Sequence, residues 1–199
     1  MVAFNFKAQW ASLVEDGIKR QTVRAGLRAQ PGTMLQHYTG MRTKACRKLR
    51  EDVRCAEVVD FWRGAGRIFY MSDSDNGCVS HYWQGCIDEV SPALRYGVRR
   101  GTYQVTAGLF ALLDGFGERL EQLLAFFQPG FSGWLYRWDV PVLRWTADQW
   151  LFVYAGGARR PFDSSYRAPS GRLYGVGAQD GAGNIGLMQG IPADWTEVA

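Results

Sequence analysis

The sequence predicts an α+β fold rich in strands, and three observations carry that expectation. Apolar residues recur at helical spacing in two places: Phe6, Trp10, Leu13 and Val14 near the start, and Leu120, Leu123, Leu124 and Phe127 past the middle. Strand-like runs rich in β-branched and aromatic residues cover 34–38, 55–62 and 131–140. Trp 8, Tyr 9 and Phe 11 supply enough rings for a core, with some left for a ligand surface.

In chain order, a first helix is expected over 7–16, with Gly17 at the end, where positive φ is wanted. Residues 18–24 continue as an extended or turn-like polar segment. Pro31-Gly32 marks a turn, 34–38 a strand, and Thr39-Gly40 its close. Residues 43–52 read as a short basic helix. Residues 55–62 read as a strand, with Val58 and Val59 suggesting burial on both faces. Periodicity fades over 63–100, and Gly, Ser, Asp and Asn cluster at 72–77, so a long hairpin or loop insertion is expected. Asp114 lies ahead of the second helix as an N-cap candidate, and Pro129-Gly130 stops that helix. Residues 131–140 place Trp134, Tyr136 and Trp138 on one strand face. The last 44 residues hold 9 Gly and 3 Pro without a sustained period, composition that argues for turns, extended packing or partial disorder. Gly181-Ala182-Gly183-Asn184-Ile185-Gly186 spells G-x-G-x-x-G, but only 13 residues follow, too few for a dinucleotide-binding unit.

Length allows one domain with an appendage: a core over 1–145 with an insertion at about 63–103, then a Gly-rich extension over 146–199. No apolar run approaches the ~18 residues of a membrane span, and the first residues lack a secretory layout, so a cytoplasmic protein without a membrane partner is expected. The net charge of +4 is unevenly spread: residues 1–67 hold 13 Lys/Arg against 6 Asp/Glu. A one-signed region of this kind suits phosphate. Cys78, His81 and Cys86 offer three potential zinc ligands where a structural site takes four, and Asp73, Asp75 or His37 could join only by folding back. No metal and no cofactor are expected. Cys46 and Cys55 read as packing residues.

The most informative segment is Gly17-Ile18-Lys19-Arg20-Gln21-Thr22-Val23-Arg24, followed by Pro31-Gly32-Thr33-Met34-Leu35. In an ideal strand Ile18, Arg20, Thr22 and Arg24 share one face and Lys19 points to the other, so Lys19 meets Thr22 only if the chain turns between them. Such a turn gathers an amine, a hydroxyl and a guanidinium, with Arg24 and Arg28 able to neutralise a phosphate. Helix, G-x-K-x-x-T-x-R loop and Pro-Gly turn into a strand together resemble the ASCH domain family, of the PUA-like superfamily. Tyr38-Thr39-Gly40-Met41-Arg42-Thr43-Lys44, Cys46, Cys55, Leu113-Asp114-Gly115-Phe116 and Phe131-Ser132-Gly133 with Arg137-Trp138 are similar to ASCH-type proteins of bacteriophages and prophages. The resemblance covers roughly 4–62 and 104–140.

That resemblance implies a small mixed PUA-like β-barrel with flanking helices, and RNA or a modified nucleotide as partner. It implies a ligand cleft using Gly17, Lys19, Arg20, Thr22, Arg24, Arg28 and Tyr38. Beside it, Arg42, Lys44, Arg47, Lys48, Arg50 and Arg54 form a basic run suited to a nucleic-acid backbone, with Tyr38 and Trp62 near in sequence for stacking. An alternative implied by some relatives is an amidohydrolase of N4-acylated cytidine. In it Lys19 takes the proton of Thr22, Thr22 attacks the amide, and Asp114 assists proton transfer. A ribonuclease is a third reading, weakened by the presence of His37 and His81 alone.

Overall fold

The structure, a computed structural model, describes residues 1–64, 68–72, 102–117, 119–144, 150–179 and 183–198. Strand β1 (Val2–Phe6) leads into helix α1 (Ala8–Glu15), whose Trp10, Ala11, Leu13 and Val14 are buried. The helix stops in a Schellman turn: Ile18 N donates to Leu13 O at 2.9 Å, Gly17 N to Val14 O at 3.1 Å, and Gly17 takes φ +73. Strands β2 (Gln21–Arg24), β3 (Met34–Thr39), β4 (Arg47–Lys48) and β5 (Val53–Arg63) follow. Next come β6 (Ile68–Ser72) and β7 (Thr102–Thr106), which runs into α2 (Ala107–Leu113), then α3 (Leu120–Phe126) and β8 (Ser132–Trp138).

The eleven-residue β5 organises this first sheet. Its start pairs with β3 (Met34↔Arg54), its end with β6, and its other edge with β8 from Cys55↔Trp138 to Trp62↔Ser132. β1 lies parallel to β3, and β2 pairs antiparallel with β8 (Gln21↔Arg137, Thr22↔Tyr136). The described strands form a mixed sheet and do not close a barrel. No helix among the described residues is long and apolar enough to cross a membrane.

The Gly-rich end folds as a second layer. β10 (Leu151–Ala155), β11 (Ser164–Arg167), β12 (Leu173–Gly177), β13 (Asn184–Met188) and β15 (Thr196–Val198) make an antiparallel sheet in the order β13-β10-β12-β11-β15. β9 (Val142–Arg144) and β14 (Ile191–Pro192) form a separate pair. Trp150, Phe152, Tyr154, Tyr174, Leu187 and Trp195 are buried in one cluster with Phe4, Leu35 and Tyr136 of the first sheet. Several glycines here are sites of close approach: a Cβ on Gly175 would collide with the Gly157 carbonyl, and one on Gly186 would lie 2.6 Å from Ile18 Cγ2. The G-x-G-x-x-G run leads into strand β13, with 180–182 outside the described residues.

Three local expectations are corrected. Residues 43–52 are not a helix: Thr43 Oγ1 donates to Gly40 O at 2.6 Å and accepts from Ala45 N at 3.1 Å, a local turn that outcompetes helical bonds, and β4 follows. Cys46 is exposed and does not pack, whereas Cys55 is buried, and burial raises its thiol to about 11. Asp114 does not cap α3, whose N-cap is Arg119; it ends α2. Residues 73–77 of the Gly/Ser/Asp/Asn cluster, with Cys78, His81 and Cys86, lie outside the described residues, as does most of the expected insertion.

Candidate functional site

Asp114 and Asp16 occupy the same local position. Beyond Asp114, Phe116 N donates to Ala111 O at 2.7 Å and Gly115 N to Leu112 O at 3.2 Å, with Gly115 at φ +75, the same Schellman closure as Asp16-Gly17-Ile18. The two helix ends touch, since a Cβ on Gly115 would lie 3.1 Å from Leu13 Cδ1. This places Asp114 against Lys19, just past α1. Lys19 Nζ lies 2.5 Å from Asp114 Oδ2 and donates to Asp114 O at 2.7 Å, both residues fully packed away from solvent. Trp10 and Phe116 lie 5.5 and 5.8 Å from the ammonium, ring centroid to nitrogen.

Burial sets the electrostatics of this pair. Desolvation lowers the Lys19 pKa, opposed by the Asp114 charge and hydrogen bond, with Arg24 pushing further down. Desolvation likewise raises Asp114, opposed by Lys19, then Arg24 and Gln21. Gln21 stands on the Lys19 side of β2, beside Arg137 in register. Its Oε1 accepts from Arg137 Nε at 3.5 Å; its amide lies against Asp114, yet neither Nε2 nor Asp114 Oδ1 completes a hydrogen bond of standard geometry.

Thr22 is buried on the opposite face of β2, across from Tyr136. No hydrogen bond among the described residues links it to Lys19. Arg24 shares its face, stacked 5.3 and 5.2 Å from the Phe4 and Phe6 rings and donating to Asn5 O at 3.0 Å. Arg28 is exposed, its backbone N donating to Tyr136 Oη at 2.6 Å. Lys19, Asp114 and Gln21 are therefore together, while Thr22, Arg24 and Tyr136 form a neighbouring group.

A cavity of about 860 Å³ opens beside these residues. Ile18, Arg20 and Gln21 form one wall; Arg54, Glu57, Arg137 and Trp138 a second; Trp150, Leu187, Met188 and Gln189 of the C-terminal layer a third. Arg20 spans the layers, donating to Gly17 O at 2.8 Å and reaching Gly190 O at 3.4 Å. Arg137 is committed to Glu57 at 2.7 Å. The sequence places Trp138 on a strand face, and the signal for Gln189 is a polar residue within Leu187-Met188-Gln189-Gly190-Ile191.

The basic run is partly neutralised. Arg47 pairs with Glu15 at 2.7 Å, Lys48 with Asp52 at 2.6 Å, and Arg50 turns inward to Val14 O at 3.3 Å. Arg42, Lys44 and Arg54 are exposed and make no ion pair among the described residues. Tyr38, on β3 beside Lys48, and Trp62, at the far end of β5, are not brought together. His37 is buried between Phe6 and Trp138, and burial, then Arg50 and Arg24, hold its pKa down at about 3. Among the described residues no group of three or more His, Cys, Asp or Glu side chains is arranged to hold a metal ion. No protein-family model, no curated protein and no solved structure matches this chain.

Proposed function

We propose that the chain is an ASCH-type, PUA-like module that binds RNA or a nucleotide, with the base in the cavity beside Gly17–Arg24 and the phosphates toward Arg54. The cavity carries this reading. It is of nucleotide-accommodating size, lined in part by apolar side chains (Ile18, Leu113, Val140, Trp150, Leu187), and by Arg54, which makes no ion pair among the described residues. Fluorescence anisotropy with short single-stranded RNAs at low salt tests it. Binding should weaken as salt rises, and Arg54→Ala together with Arg42→Ala should flatten that salt slope. Absence of binding to RNA and to mononucleotides at low salt overturns the reading.

The amidohydrolase alternative is favoured by one observation, the sealed Lys19–Asp114 pair, in which desolvation lowers the Lys19 pKa as a general base requires. It demands that Lys19 exchange Asp114 for Thr22 when substrate binds. Release of acetate from N4-acetylcytidine, abolished in Thr22→Val with the fold intact by circular dichroism, supports it. Unchanged turnover in that variant removes Thr22 as nucleophile.

A further inference from the structure

Phe126 ends α3 with 52% of its surface exposed, although Phe127 beside it is buried. It closes an aromatic run: Trp10 and Phe116 lie 4.3 Å apart between ring centroids, Phe116 and Phe126 6.4 Å. Trp10 and Phe116 are buried, and the Arg119 guanidinium covers Trp10 at 4.8 Å. Of the three rings Phe126 is the one open to solvent, and the Lys7 ammonium lies 5.3 Å from its centroid.

Lys7 joins this ring to the loop that follows β3. β1 and β3 run parallel with Phe6 against Thr39, so Lys7 lies beside Gly40. Asn5 shares the exposed face of the strand with Lys7, and its Oδ1 accepts from Met41 N at 3.1 Å, which ties the loop down. Thr43 N and Thr43 Oγ1 both donate to Gly40 O, at 3.0 and 2.6 Å. This frame holds Arg42 at φ +68, a left-handed backbone uncommon for a residue with a Cβ, and such strain persists only where the surroundings enforce it. The loop therefore presents the exposed Arg42 and Lys44 on a fixed backbone.

Lys7, Arg42 and Lys44 make no ion pair among the described residues. On the elements around them, Glu15 is held by Arg47, Asp52 by Lys48, and Asp16 by Ser170 and Tyr174. Glu51 lies toward the opposite end of β3, between the Leu49 and Val53 pairings. Glu121 stands five residues from Phe126, about 140° round α3. None of Lys7, Arg42, Lys44 and Phe126 lines the cavity, whose Arg54 pairs with Met34 at the other end of β3, ~17 Å away.

We propose that this face binds single-stranded nucleic acid, with a base stacked on Phe126 and the adjoining phosphates on Lys7, Arg42 and Lys44. It is a contact beyond the cavity reading and does not depend on it. The occupant has to bring anions to three cations and a flat apolar surface to an open ring. A wholly apolar partner would bury the cations unpaired. A duplex keeps its bases stacked on one another, whereas an unpaired strand offers both a ring face and a backbone charge.

Fluorescence anisotropy of the full chain with a labelled oligouridylate of about 12 nucleotides tests this. Phe126→Ala should weaken binding about fivefold or more, and Phe126→Trp should retain or strengthen it. Lys7→Gln with Lys44→Gln should lower the slope of log affinity against log salt by about 1.4, two phosphate contacts on a single strand. Unchanged affinity in Phe126→Ala, with a native circular dichroism spectrum, overturns the proposal. So does an RNA duplex of the same length bound as tightly as the strand by the unaltered chain, a comparison that needs no substitution. Equal competition by polyglutamate of matching charge overturns it as well, since the face would then take any polyanion. Uridine 5′-monophosphate titrated in parallel separates the two sites. Mononucleotide binding with strand affinity indifferent to Phe126→Ala leaves the cavity standing alone. Strand binding lost in Phe126→Ala, without mononucleotide binding, supports this face and leaves it standing without the cavity. Failure of every nucleotide and oligonucleotide overturns both.

Discussion

Asp16-Gly17-Ile18 and Asp114-Gly115-Phe116 are two helix ends with one local design and two tertiary fates. Each puts a carboxylate at a helix C-terminus, the unfavourable end of the macrodipole, and each needs an outside partner. Asp114 finds a cation, Lys19. Asp16 finds neutral donors from the C-terminal layer: Ser170 N at 3.1 Å, Ser170 Oγ at 2.7 Å and Tyr174 Oη at 2.6 Å, while Trp195 Nε1 donates to its carbonyl at 2.8 Å. The same tripeptide pattern thus yields a charged pair in one place and a hydrogen-bonded staple in the other. Local sequence sets the turn; the strand that passes by sets the chemistry.

The largest effect expected from this contrast is at the charged end. Asp114→Ala leaves the Lys19 ammonium buried without its partner and should cost about 3–5 kcal/mol in urea denaturation. The double variant Lys19→Met, Asp114→Leu should recover most of that loss, because removing both charges removes the unpaired one. If the double variant is as unstable as the single, packing and not charge pairing explains the site. At the neutral end, Asp16→Ala should cost about 2 kcal/mol, since the donors it abandons carry no charge. A loss equal to that of Asp114→Ala would erase the distinction.

His37 gives the contrast a pH axis: it is sealed like Asp114, yet neither ring nitrogen has a hydrogen-bond partner among the described residues. Its folded pKa of about 3 lies below its ordinary 6.5, so between those values the unfolded chain binds the extra proton. Stability from this group is therefore full above pH 6.5 and falls as pH drops toward 3, by roughly 1.4 kcal/mol per unit. Denaturation midpoints from pH 7 to pH 4 check it, and His37→Phe should flatten that slope. A slope unchanged by His37→Phe would show that carboxylates alone govern acid lability.

Much of the first sheet was legible because its signals are local. α1, β3, β5, β8 and α3 each carry a period or a β-rich run, and Gly17 marks its own turn. The basic helix failed because Thr43 offers the backbone a competing hydrogen bond that no hydrophobic period reveals. α2 was hidden because Ala107-Gly108-Leu109-Phe110-Ala111-Leu112-Leu113 is apolar all round, without a stripe; Asp114 was therefore read as the start of a helix when it ends one. The C-terminal sheet was hidden by glycines whose purpose is to let another segment of chain pass close, a tertiary cause invisible in composition. Of the candidate site, Lys19 and Asp114 were named from the sequence and are paired, but Gln21, Trp150 and Gln189 acquire a common cavity only when the two layers meet.

The Asp16 staple also bears on the order in which this chain reaches its final form. Residues 154 and 158 positions apart must find each other before the Asp16 carboxylate is satisfied by Ser170 and Tyr174. Closing so long a loop is entropically expensive, and contacts of large sequence separation slow folding. Helix α1 and its Gly17 turn can form early, with nearest-neighbour contacts alone. The Asp16 carboxylate gains its donors only when Ser170 and β12 dock on that turn, a contact of far larger sequence separation than the helix end it completes.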